Sequence, residues 1–146
     1  MTDNEKREKN KAVLRRLYDH MMEIAAGGRE EISKIFTDDC VMELPHLNAK
    51  QAGLDAMVAG VQSVPRNFSH YRLKSMTFHD CVDPDELIYE AEADAVFRHT
   101  GQPYLQRYIN IINFRNGKIC RNVEYMNMNL LGGFPPQPQQ AQKASQ

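Results

Sequence analysis

Apolar residues recur every three or four positions at Val13, Leu14, Leu17, Tyr18, Met21, Met22 and Ala25. That spacing lays one stripe of side chains along an amphipathic helix, which Gly27 and Gly28 are expected to end. A short second helix runs through Ile32, Ile35 and Phe36. The polar Thr37-Asp38-Asp39 breaks it before an extended run from Cys40 to Leu44, closed by Pro45. Leu54, Met57, Val58 and Val61 give the stripe of a third helix over residues 53–64, and Pro65 is expected to prevent its continuation. From there the pattern changes to alternation, the mark of strands. Residues 68–79 set Tyr71, Leu73, Ser75 and Thr77 on one face and Arg72, Lys74, Met76 and Phe78 on the other. Asp83-Pro84-Asp85 supplies a turn, residues 87–99 a second long strand, Gly101-Gln102-Pro103 another turn, and residues 104–114 a third strand. Asn116-Gly117 is a strong hairpin signal, because a type I′ turn needs positive φ at both central positions, and the last strand covers residues 118–131.

Helix, helix, strand, helix and four hairpin-connected strands make an α+β architecture: a curved antiparallel sheet wrapped around three N-terminal helices. A cavity opens where such a sheet bends around its helices, and concave apolar sites of this kind bind small ligands. Residues 1–131 read as a single domain. The remainder, GGFPPQPQQAQKASQ (132–146), has a Gly, Pro and Gln content that builds no core, so it reads as a flexible tail or a segment draped over a neighbouring subunit.

Composition narrows the function classes. The chain has 146 residues and a formal net charge of -1, so it is one domain's length and carries no basic excess for a nucleic-acid backbone. Three cysteines, Cys40, Cys81 and Cys120, lack CxxC spacing, which argues against a disulfide framework and a zinc site and fits a reducing cytoplasm. The opening MTDNEKREKNK is charged where a signal peptide needs an apolar core, and no apolar run is long enough to span a membrane. No Gly-rich phosphate loop or nucleophile elbow appears, so no bound cofactor is required.

The most informative stretch is residues 116–129, NGKICRNVEYMNMN. Alternation puts Cys120, Asn122, Glu124, Met126 and Met128 on one face, a lone carboxylate among apolar and amide side chains. Held there, Glu124 would lose water and its pKa would rise toward the range useful for proton transfer. The alternative is a rim residue or half of a structural ion pair. Glu90, Glu92 and Asp94 share a face of the second long strand, where Arg72 and Arg107 could neutralise them in a structural lattice, or where one could reach the cavity mouth. His70 is a second acid/base candidate because the preceding loop should border the cavity, and the scattered histidines show no metal-ligand spacing. Arg72 could hold an anionic or phenolic group with its guanidinium fork, or partner the acidic strand. Tyr18, Tyr71 and Tyr108 could donate to a substrate oxygen, and the methionines, mostly core, suit an aromatic ligand.

The order of elements, with Lys9-Asn10 opening the first helix, FTDDC at Phe36 to Cys40 and GKICRNVEYMN at Gly117 to Asn127, resembles the SnoaL-like branch of the NTF2-like superfamily. Within it the chain is most similar to the phenazine-biosynthesis PhzA/PhzB group, over roughly Glu5 to Leu131. The resemblance implies the NTF2-like cone, an acid/base role for Glu124 and a pocket-lining role for Ser63. Gly60 and Ile32 stand where that group carries a histidine and an arginine. Leu44 stands where ketosteroid isomerases carry their base, and Asn127 near where SnoaL-type polyketide cyclases place an aspartate. The resemblance also implies a homodimer packed through the open sheet face.

Together these readings predict a cofactor-independent enzyme moving a proton on a small aromatic or polycyclic metabolite, as lyase, isomerase, dehydratase or cyclase. Glu124 and His70 are the catalytic candidates. Arg72, Ser63, Tyr18, Tyr108, Met126 and Asn122 are the substrate-binding candidates. The alternative is a non-catalytic ligand-binding or assembly module of the same fold.

Overall fold

Helix α1 (Asp3–Asp19) starts at a capping box: the Thr2 hydroxyl accepts from the Glu5 backbone N–H, and the Glu5 carboxylate accepts from the Thr2 N–H. The computed structural model describes residues 1–136. The stripe expected to run unbroken to Ala25 is interrupted at His20, whose backbone (φ -123°, ψ 29°) leaves the helical region, and α2 (Met21–Ile32) follows. Gly28 kinks α2 instead of ending it, taking a positive φ of 70° that a side chain would resist.

Strand β1 (Phe36–Leu44) absorbs Thr37-Asp38-Asp39, which were expected to lie outside it. After a single 3-10 turn comes β2 (Ala49–Ala52), a short polar strand that no apolar alternation announced. Helix α3 (Leu54–Asn67) continues through Pro65, against expectation. So close to the end of the helix, the proline forfeits little more than the bond its own N–H would have made.

The remaining strands are β3 (Phe68–Asp80), β4 (Glu86–Phe97), β5 (Pro103–Tyr104), β6 (Arg107–Arg115) and β7 (Lys118–Met126). They form a curled sheet in the order β2-β1-β7-β6-β4-β3, with β5 paired to β4. Every pairing is antiparallel except β1 with β7, which is parallel, so the sheet is mixed. The fold is an α+β NTF2-like cone.

The strand expected over residues 104–114 is divided at Leu105 and Gln106 into β5 and β6. Gln106 turns fully inward and its amide is saturated. Nε2 donates to the Tyr104 hydroxyl (3.0 Å) and the Asn127 carbonyl (2.9 Å), and Oε1 accepts from the backbone N–H groups of Arg107 and Asn127. That clamp also stops β7 at Met126, so Met128 leaves the strand for a 3-10 turn, Met128–Gly133.

Phe134 then packs edge-on against Phe68, Phe97 and Tyr104 at one end of the cone. A Cβ on Gly133 would come within 2.6 Å of the Phe97 ring, so the close approach needs glycine. The packed chain therefore reaches beyond Leu131, where the domain was expected to end. Residues 137–146 of the expected tail lie outside the described residues.

Candidate active site

Two bulges decide which side chains face the helices. In β3 the register against β4 shifts between Lys74 and Thr77, and Ser75 takes a positive φ of 58°. The bulge adds a residue and reverses the alternation. Tyr71 and Leu73 point inward before it and Met76 and Phe78 after it, so the predicted two-face division of this strand fails halfway along.

In β7 the register against β6 steps from Asn113↔Arg121 to Phe114↔Ile119. Ile119, not Cys120, therefore joins Asn122 and Glu124 on the concave face, while the Cys120 thiol lies 3.4 Å from the Asn113 carbonyl.

Between that face and the helices lies a cavity of about 370 Å³. Leu17 and Tyr18 of α1, Met57 and Val61 of α3, Ile112 of β6 and Phe134 form much of its wall. Among the described residues, Glu124 is the only Asp, Glu, Lys, Arg or His side chain lining it. Burial pushes the Glu124 carboxyl up from its ordinary 4.5 to about 7, opposed in part by a hydrogen bond from Asn110 Nδ2 to Oε1 (3.3 Å).

Asn110, opposite Glu124 across β6 and β7, shares the same Nδ2 with Asn122 Oδ1 at 2.7 Å. Asn122 Nδ2 reaches the Met42 sulfur at 3.9 Å. The amides tie the carboxyl side of the cavity to β1 and β6. They fix its direction without neutralising it.

The tyrosines form two hydroxyl pairs. Tyr89 donates to Tyr18 (2.7 Å), and Tyr71 donates to Tyr108 (3.1 Å). Tyr18, Tyr71 and Tyr108 line the cavity and Tyr89 lies behind Tyr18; one O–H of each pair is spent within it, which leaves the other as a donor. Burial raises the pKa of all four, and the charge of Glu124 adds to the effect. They stay protonated donors.

Of the predicted site residues, the fold brings Glu124, Asn122, Tyr18, Tyr108 and Ser63 to this cavity. The Ser63 hydroxyl lies 2.6 Å from the Gly60 carbonyl in its own helix. Met126 packs on the core but borders a different hollow.

His70 and Arg72 are placed elsewhere. Both project from the outer face of β3, where Arg72 Nε meets Asp94 at 3.1 Å and His70 Nε2 lies 3.6 Å from the same carboxylate. The reason is parity: with Tyr71 facing inward, its neighbours on either side must face out. Glu90 and Glu92 lie on the same outer face, with His79 at 2.8 Å and Arg107 at 3.9 Å respectively. The acidic face is thus an ion lattice.

Sequence reasoning missed Asn110 and Phe134. Asn110 had a readable signal, an amide alternating with Tyr108 and Ile112 on a buried face. Phe134 had none, lying among Gly and Pro.

A second hollow, about 540 Å³, lies over that outer face among Glu90, Glu92, Arg107, Ile109 and Tyr125. Its charges are already paired, whereas the cavity between sheet and helices holds one carboxyl with no counter-charge, so the chemistry points to the latter. Among the described residues, no group of three or more His, Cys, Asp or Glu side chains could hold a metal ion.

Residues 14–122 match the SnoaL-like domain family. The chain belongs to that family. It is similar to the uncharacterised protein YesE of Bacillus subtilis (strain 168), 25% identical over 124 residues that span 82% of either chain. Among solved structures it resembles a Bacillus subtilis protein assigned provisionally as an isomerase, with TM-score 0.72, 24% identity, and coverage of 91% of this chain and 97% of that one. It also resembles a phenazine biosynthesis-related protein of Pseudomonas aeruginosa, with TM-score 0.69, 18% identity, and coverage of 94% and 92%. These likenesses concern the fold. The acid/base candidate of this SnoaL-like chain, Glu124, lies two residues past the matched segment, on the same strand.

Proposed function

We propose that this SnoaL-like protein is a cofactor-independent enzyme that moves a proton on a small aromatic or polycyclic metabolite, with an isomerase, lyase, dehydratase or cyclase outcome. The observation that carries the reading is Glu124, a carboxyl alone in an apolar cavity and shifted by burial to about 7. A group that titrates there is available as base and as acid at neutral pH. Glu124 takes a proton from an acidic C–H or O–H of the substrate and returns it at another atom or to the leaving group. Charge then grows on the substrate oxygen, and the O–H groups of Tyr18 and Tyr108, each backed by a second hydroxyl, supply the stabilising hydrogen bonds. Arg72, expected in that role, is replaced by these tyrosines.

The test is turnover on candidate substrates by wild type and Glu124→Gln, with ligand binding followed in parallel. Loss of turnover with retained binding supports the reading, and unchanged turnover refutes it. The isomerase and phenazine-biosynthesis names of similar structures support this class of small-molecule chemistry.

The enzyme works as a homodimer in the cytoplasm. Exposed Ile109, Tyr125 and Leu105 on and beside the outer sheet face support the pairing, since apolar side chains grouped on one face favour association. Three free cysteines, one of them the buried Cys40, support a reducing compartment. No helix among the described residues is long and apolar enough to cross a membrane. Light scattering tests the dimer.

A further inference from the structure

Among the described residues, no Lys, Arg or His side chain lines the cavity. Arg72 meets Asp94, Arg107 meets Glu92, Arg121 meets Glu43, and Arg98 donates to the carbonyls of Pro65 and Phe68. Inside, the titratable groups facing Glu124 are Tyr18 from α1, Tyr71 from β3 and Tyr108 from β6; α2, α3, β1 and β2 contribute none to the wall. The two helix positions noted for their departure from the phenazine group, Ile32 and Gly60, bring no cation either: Ile32 is buried core and Gly60 lines the wall.

A carboxylated or phosphorylated guest would thus place a second anion beside Glu124 in a site with no cation. Two such groups cannot both stay ionised at close range. Admission of an anion requires a proton from solvent.

We propose that this cavity selects uncharged multi-ring substrates and rejects carboxylated or phosphorylated ones, with Glu124 as the residue that enforces the choice. The proposal rests on the cavity being the ligand site, as argued above, but not on catalysis. A neutral ketone or phenol meets a largely apolar wall, tyrosine O–H donors, the uncharged polar side chains of Gln51, Ser63 and Asn122, and the Glu124 carboxyl. Its binding needs no change in protonation. An anion binds only the fraction of protein with Glu124 protonated, so its affinity falls about tenfold for each pH unit above the Glu124 pKa.

Two probes of matched size separate the cases, naphthoate and the methyl ketone acetylnaphthalene. The chain has no tryptophan, so naphthalene emission reads binding directly. Affinities are measured for wild type and Glu124→Gln at about pH 6 and about pH 8. The ketone is expected to bind both proteins alike at either pH, which also shows that the variant is folded. Naphthoate should weaken about tenfold between the two pH values in wild type and stay level in Glu124→Gln. Equal naphthoate affinity at both pH values in wild type, or the same loss in the variant, overturns the charge rule and leaves the cavity as a ligand site. Failure of the ketone to bind wild type overturns the rule and the ligand-site reading together.

Discussion

The two faces of the sheet use the same residue type in opposite ways. On the outer face Asp94 sits half exposed beside Arg72 and His70, and the hydrogen bond from Arg72 holds its carboxyl below the usual range. On the concave face Glu124 has no cation, and burial carries it up to about 7. The sequence shows three carboxylates in an alternating cluster and one by itself, and density alone would favour the cluster as the reactive site. The structure makes the solitary carboxyl the stronger candidate. Paired charges are quenched at the surface, while a carboxyl withdrawn from bulk solvent without a counter-charge keeps its proton within reach of neutral pH.

The sharpest way to break this contrast is to remove the titrating group. Glu124→Gln is expected to lower kcat by about 10²- to 10⁴-fold while the protein stays folded; a loss below tenfold in steady-state kinetics would return Glu124 to a structural role. Tyr108→Phe removes one donor but leaves Tyr71 and Tyr18, and kcat should fall by about 10²-fold. A change confined to KM would show that this hydroxyl binds the ground state only.

Stability gives a third comparison. Because folding raises the Glu124 pKa, the stability this group contributes is full below about 4.5 and is lost as pH rises through about 7. At about pH 8 Glu124→Gln should therefore be more stable than wild type by about 1–3 kcal/mol, with the gain vanishing toward about pH 4. Denaturant midpoints that do not converge in this way as pH falls would contradict the burial argument.

The smallest effect belongs to the outer face. Arg72→Ala breaks an exposed pair worth about 0–1 kcal/mol, and turnover should stay within about twofold of wild type. A larger loss of turnover would mean that the lattice communicates with the cavity.

Much of this was legible in the chain itself. Helical stripes followed by alternation gave the α+β order, Asn116-Gly117 placed the final hairpin, and the apolar setting of Glu124 on β7 marked it as a displaced carboxyl. Those features are local, because periodicity and turn chemistry act over a few residues. What tertiary structure decided were the places where one residue too many enters a ladder. The bulge at Ser75 inverts half of β3, and the bulge at Cys120 puts Ile119 in the wall. Neither could be read along one strand, since a bulge exists only relative to the partner strand.

The partners of Glu124 are equally non-local. Asn110 meets it across the sheet, Tyr18 arrives from the first helix, and Phe134 comes from a segment with no core-forming composition. The sequence by itself determined that a carboxyl would lie on a largely apolar strand face. Only the closure of helices and sheet around it decided that it would be buried with no cation lining the cavity, and that burial, uncompensated by a counter-charge, is what raises its proton affinity.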